Sequence, residues 1–236
     1  MAFESLFQKY RRLVIFDTET TGLSCKHDQI IEFAAVVIEK KGIIKEFDEL
    51  IQLAPGTRIP DNIVELTGIT NEAVAEKGIS KTHLRAHLHD MLAPYPTLLI
   101  AYNAHFDLSF LFYMLLRDGD PTILRGKDKL DLLTVYKDRR SYPHRLCNAI
   151  EAYDLSGKVV NSHRAVDDVL ATVEVMKAME TEKADLERYV NYPTFRNCLL
   201  FWNMGWYRSV APGLPGGHSP SACKAPLWSL LWTAVC

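Results

Sequence analysis

A four-residue apolar run, Leu13-Val14-Ile15-Phe16, stops abruptly at Asp17-Thr18-Glu19-Thr20-Thr21-Gly22. A run that short, with no polar alternation, reads as a strand buried on both faces. Its C-terminal end therefore delivers acids to the rim of a core. Residues i and i+2 of a strand share a face, so Asp17 and Glu19 project together. Two carboxylates at that spacing repel unless one holds a proton or a cation lies between them. An all-oxygen donor set suits Mg2+ or Mn2+. A solvated strand end followed by turn residues fits the same letters, so this segment alone does not define a site.

The flanking pattern restricts the architecture. Ile30–Ile38 (IIEFAAVVI) predicts a second buried strand and Ile43–Leu53 a third, with Lys40–Gly42 turning between them. A short helix is expected near Asp61–Leu66, inside the loop-like stretch Pro55–Thr70, with Pro60 at its start. Asn71–Lys77 and Lys81–Leu92 read as helices, Leu98–Ala101 as a fourth strand, and His105–Leu116 as a helix with Phe106, Phe110, Leu111 and Met114 at helical spacing. Leu130–Tyr136, Arg145–Tyr153 and Arg164–Glu182 read as further helices. Three strands in a meander, then strand–helix alternation, predict an α/β layered domain.

Two more polar segments fall at element boundaries. Asp107, in Tyr102-Asn103-Ala104-His105-Phe106-Asp107, sits in the first turn of a helix just past a strand end. An acid there also stabilises a helix N-terminus through its macrodipole. His163-Arg164-Ala165-Val166-Asp167-Asp168 opens the last long helix. His163 precedes that helix, Asp168 lies more than one turn into it, and Asp167 should point elsewhere. The pair suits a fixed metal ligand with a movable base above it. Exposed helix acids and a cap-region histidine fit the same letters.

Composition narrows the ways such a chain could work. The 236 residues are 48% apolar, enough to bury a sizeable core. The net charge of −2 argues against a broad basic surface as the means of holding nucleic acid. Polyanion contact must then be local, through a few Lys and Arg residues or bound cations. The five cysteines are odd in number and form no CxxC pair, which points to a reducing compartment rather than a disulfide framework or zinc site. No run approaches the ~20 apolar residues of a membrane span. The N-terminus lacks a secretory signal pattern, so a cytoplasmic protein with no membrane partner is expected.

Taken together and in this order, DTETTG, NAHFD and HRAVDD strongly resemble the DEDD superfamily of exonucleases. The histidine five residues before the last aspartate is similar to the DEDDh, DnaQ-like branch, which includes the proofreading epsilon subunit of bacterial DNA polymerase III. Phe106-Asp107-x-x-Phe110-Leu111 and Leu66-Thr67-Gly68-Ile69-Thr70 also look like this family, and the resemblance spans roughly residues 11–182. It implies an RNase H-like fold: a mixed central sheet, made of an antiparallel three-strand meander plus parallel strands, flanked by helices. It implies two divalent cations, Mg2+ or Mn2+, with metal ligands Asp17, Glu19, Asp107 and Asp168. Asp17 would bridge both ions, and Asp107 would support the second through water. His163 would take a proton from the attacking water. The implied reaction is 3′→5′ hydrolysis at single-stranded or frayed DNA ends, releasing nucleoside 5′-monophosphates in proofreading or repair. RNA trimming by the same branch and a non-catalytic binding module of the same fold are the alternatives.

The resemblance further assigns substrate contact to Thr18, Thr20, Leu66, Thr67 and Asn103, and makes Asp131 an acid that braces the site. For Leu66 a core position is the competing reading. Where the family often has His before the Asn-Ala pair, this chain has Tyr102, an aromatic donor able to take part of that role. A polymerase subunit in trans is an implied partner. Phe3-Glu4-Ser5-Leu6-Phe7 reads either as a clamp-binding peptide or as an apolar segment capping the domain. The exonuclease domain is expected to span 1–188. Residues 189–236 form an atypical tail without any Asp or Glu and with all four tryptophans. It reads either as a partner-binding extension or as sequence foreign to the domain.

Overall fold

A computed structural model describes residues 3–92, 95–117 and 120–192. Its centre is a five-stranded sheet in the order β3-β2-β1-β4-β5. Strands β1 (Arg12–Thr20), β2 (Ile30–Glu39) and β3 (Gly42–Leu50) form the antiparallel meander. Strands β4 (Thr97–Ala101) and β5 (Asp128–Asp131) join it in parallel, β4 on β1 and β5 on β4. The predicted mixed sheet is therefore present. Gly42, at φ 118, closes the β2–β3 hairpin with a backbone that other residues rarely adopt.

Helices α1 (Glu4–Lys9), α2 (Asp61–Thr67), α3 (Asn71–Lys77), α4 (Lys81–Leu92), α5 (Ala104–Arg117), α6 (Leu132–Arg139), α7 (Leu146–Ala152) and α8 (Ala165–Glu182) complete the described elements longer than a 3-10 turn. Side chains alternate between the two faces of a strand, and that parity divides the core. Leu13 and Ile15 of β1 pack with Leu98 and Ile100 of β4 and with Val169 and Met176 of α8. Val14 and Phe16 face the other way, against Leu88 of α4 and Leu108 and Phe110 of α5. Continuing the count along β1 assigns Asp17 and Glu19 to the α8 side and Thr18 to the α5 side.

The elements differ from the sequence reading in several places. β1 runs on through the acids to Thr20, because Asp17, Thr18 and Glu19 pair with Ala34, Phe33 and Glu32. The third strand ends at Leu50, and only an isolated bridge, Ile51 to Ile79, continues it. Leu130 and Asp131 end a strand rather than open a helix; Asp131 is the N-cap of α6 and accepts from the backbone N–H of Leu133. A four-residue strand holding two aspartates and a lysine leaves too little periodicity to detect. Helix α1 has no counterpart in the sequence reading.

That first helix resolves the two readings of the N-terminus in favour of capping. Phe3, Leu6 and Phe7 are buried in the same cluster as Leu13 and Met176. Leu6→Ala should cost about 2–5 kcal/mol of unfolding free energy in a denaturant titration. A detachable docking peptide would show no measurable loss. The tail beyond residue 192 lies outside the described residues.

Candidate active site

The end of β1 is shaped by a glycine and an acid. A β-carbon on Gly22 would lie 2.6 Å from a carboxylate oxygen of Asp28. Asp28 accepts from the Ser24 backbone N–H at 2.8 Å and holds the loop folded back on β1. Thr20 donates to the Gly22 carbonyl at 2.6 Å, and the Thr21 hydroxyl accepts from the Gln29 backbone N–H at 3.0 Å. The turn after the acids is thus internally satisfied.

Asp17 and Glu19 meet Asp168 of α8. One carboxylate oxygen from each of the three lies within 4.8 Å of the others. Asp168 is nearly buried, and Asn161 donates an amide N–H to it at 2.6 Å. Asp107, in the first turn of α5, stands beside this trio rather than in it. It accepts from both the backbone N–H and the hydroxyl of Thr18, at 3.0 and 2.8 Å. Asp167 is not part of the trio and accepts from Ser162.

These carboxylates strain one another electrostatically. Burial, then the charges of Asp107, Glu19, Asp168 and Glu32, pushes the Asp17 carboxyl well above the usual range. Burial and then Asp168 push Glu19 up to about 9. Burial raises Asp107 to about 7 against the opposing hydrogen bonds from Thr18. Asp168 is raised by burial to about 6, with the Asn161 bond opposing. Carboxylates arranged this way hold protons or cations at neutral pH. Three oxygen donors at this spacing, with no nitrogen or sulfur among them, fit a hard divalent ion.

His163 lies two residues before α8, ahead of the N-cap Arg164, in a left-handed backbone conformation, φ 58. A non-glycine residue there is held by its surroundings rather than by preference. Burial lowers the basicity of its ring.

The remaining sequence candidates are placed as follows. The Thr18 and Thr20 hydroxyl protons are committed within the protein, to Asp107 and Gly22. Thr67 is buried; it donates to the Ile63 carbonyl and accepts from the Ile69 backbone N–H. Leu66 is half-buried and stays out of the small cluster of Ile59, Ile69 and Val74 beside it. Asn103 also has a left-handed backbone, φ 73, and its N–H donates to Asp131 at 3.0 Å. Asp131 thereby braces the turn that leads into α5 and Asp107. The Tyr102 hydroxyl ties that turn to the backbone carbonyls of His144 and Arg145. Glu32, absent from the sequence candidates, lies opposite Glu19 and is fully buried. Its signal was a lone acid inside the apolar run IIEFAAVVI.

Comparison with known proteins gives the family and the fold. The family model described as exonuclease, of the RNase_T type, matches residues 14–176. DNA polymerase III subunit epsilon of Treponema pallidum is 31% identical over 171 residues, which cover 70% of this chain and 74% of that protein. DNA polymerase III PolC-type of Caldanaerobacter subterraneus subsp. tengcongensis is 34% identical over 170 residues, but the chain spans only 11% of its length. E. coli Exonuclease I in complex with a dT13 oligonucleotide superposes with a TM-score of 0.68 at 23% identity, over 75% of this chain and 43% of that one. The fold is RNase H-like. Among the described residues no helix is long and apolar enough to cross a membrane.

Proposed function

The chain belongs to the exonuclease family, and on that premise we propose that it is a two-metal 3′→5′ exonuclease acting on unpaired DNA ends. The observation that carries this reading is the meeting, within 4.8 Å, of Asp17 and Glu19 from β1 with Asp168 from α8, the helix that His163 precedes. Two Mg2+ or Mn2+ ions, held by these three acids with support from Asp107, would supply positive charge to the attacking and leaving oxygens of the phosphodiester. Thr18 holds one Asp107 oxygen in place. Asn161 does the same for Asp168. With its basicity lowered by burial, His163 is neutral at pH 7 and can accept a proton from the attacking water. Leu66, Thr67 and Asn103 would seat the terminal nucleotide, with Thr18 and Thr20 contacting it through groups other than their hydroxyl protons and the Thr18 N–H, which are engaged within the protein.

DNA is preferred over RNA because the relatives are named as DNA polymerase III components and the structural neighbour holds an oligodeoxynucleotide. The epsilon relative is a polymerase subunit, which makes association with a polymerase in trans, in the cytoplasm, part of the same proposal. We place the domain end just past residue 188, since Asn191 still bonds Lys129 and Asp128 of β5.

A terminal base must leave its stack to be cut, and a mismatched base does so at lower cost. With Mg2+ and a 5′-labelled substrate, a mismatched 3′ terminus should be removed about 10- to 100-fold faster than a matched one, the rate equivalent of a saving of about 1.4–2.8 kcal/mol. Products should shorten one nucleotide at a time from the 3′ end. Early release of the 5′ label would overturn the polarity, and faster loss of RNA would overturn the substrate.

A further inference from the structure

We propose that Glu32 is a positioning residue for the general base: it clamps the segment that carries His163. This rests on the exonuclease reading above.

Glu32 is fully buried in β2, directly across from Glu19. That placement invites the view that it is another metal ligand, but its oxygens are already engaged. Oε1 accepts from Arg164 Nε at 2.8 Å and also from Arg164 Nη2. Oε2 accepts from the Ala165 backbone N–H at 2.7 Å. Both partners follow His163 directly in the chain. Arg164 is the N-cap residue of α8 and provides no side-chain cap of its own. Glu32 supplies that cap from the neighbouring sheet, where an anion is favoured by the exposed N–H groups and the helix dipole.

The clamp answers a local problem. His163 occupies a left-handed backbone that only its surroundings can maintain. Ser162 bonds Asp167 and Asn161 bonds Asp168, which secures the segment before the histidine to α8. Glu32 secures the segment after it to the sheet. The imidazole is therefore presented from a loop fixed on both sides. The Arg164 fork is suited to this, because two N–H groups on one oxygen set direction as well as distance.

The test uses Glu32→Gln and Arg164→Lys, each alone and combined with His163→Ala. Glutamine cannot accept on both sides, and lysine keeps the charge but loses the fork. Each single variant should lower kcat by about 10- to 100-fold, the cost of a misplaced catalytic group, with KM little changed. In the His163→Ala background the same substitution should cost less than about threefold, because residues acting as one unit are non-additive. In metal-free protein, trypsin should cut after residue 164 about tenfold faster in either variant, since cleavage follows the population of the open segment. Equal losses in both backgrounds, or unchanged trypsin resistance in both variants, would overturn the clamp. Wild-type protein that releases no nucleotide, with the trypsin difference intact, would overturn the exonuclease reading and uphold the clamp.

Discussion

Asp17→Asn lowers kcat by at least about 10³-fold, because it removes a charge on which transition-state stabilisation depends. Its effect on the fold should run the other way. Asp17 is surrounded by Asp107, Glu19, Asp168 and Glu32, and its carboxyl is pushed up chiefly by burial and next by Asp107. A carboxyl raised in the folded state is no burden below its unfolded value, near pH 4. Stability is lost as pH rises through the folded values, about 6 for Asp168, about 7 for Asp107 and about 9 for Glu19. The metal-free wild type should therefore melt lower at pH 8 than at pH 5.5. Asp17→Asn should reduce that difference.

Added Mg2+ should do the reverse in the wild type, binding the ionised acids and so stabilising more at pH 8 than at pH 5.5. At a hundredfold excess over the dissociation constant the gain is about 2.7 kcal/mol, or roughly 5–10 °C for a domain of this size. Asp17→Asn should lose most of it. Differential scanning fluorimetry with EDTA or Mg2+ at both pH values measures each part. Full nucleotide release by Asp17→Asn would remove Asp17 from the mechanism, and a melting temperature indifferent to Mg2+ would remove the metal site.

The second large effect is at His163. His163→Ala should lower kcat by about 10²- to 10⁴-fold, the range for loss of a general base. The Mg2+-dependent rise in melting temperature should survive, because the side chain donates nothing to the carboxylate trio. The two variants thus separate binding of the ions from use of them. Alanine at φ 58 retains the backbone cost that histidine bears there. Changes in stability should accordingly be small, and His163→Asn, which tolerates that conformation better, serves as control. A variant that loses the Mg2+ response along with activity would show His163 to be a ligand instead of a base.

Much of this molecule can be read from short stretches of the chain. The run LVIF followed by DTET places acids at a strand end because apolar continuity and i, i+2 parity are local properties. Asp107 and Asp168 are legible at helix starts for the same reason. What escaped was either too short for a period or dependent on a distant partner. β5 has four residues, two of them aspartates and one a lysine, so its strand character comes from pairing with β4. Phe3, Leu6 and Phe7 read equally well as a free peptide until their burial against β1 and α8 is known.

By itself the sequence determined which chemistry is available: hard oxygen donors at a strand end, an acid and a histidine at helix starts, and too little basic charge to hold a polyanion without help. Only the tertiary structure decided which of these groups meet. The strand register puts Glu32 opposite Glu19, and helix packing on the β1 face brings Asp168 to Asp17. Arg164 reaches Glu32 across 132 residues of chain. Such contacts have no local signature, because they are set by how sheet and helices close on one core. The five residues named for chemistry were visible in the sequence; the carboxylate that holds the loop of one of them showed only as a lone acid in an apolar run, with no sign of its partner.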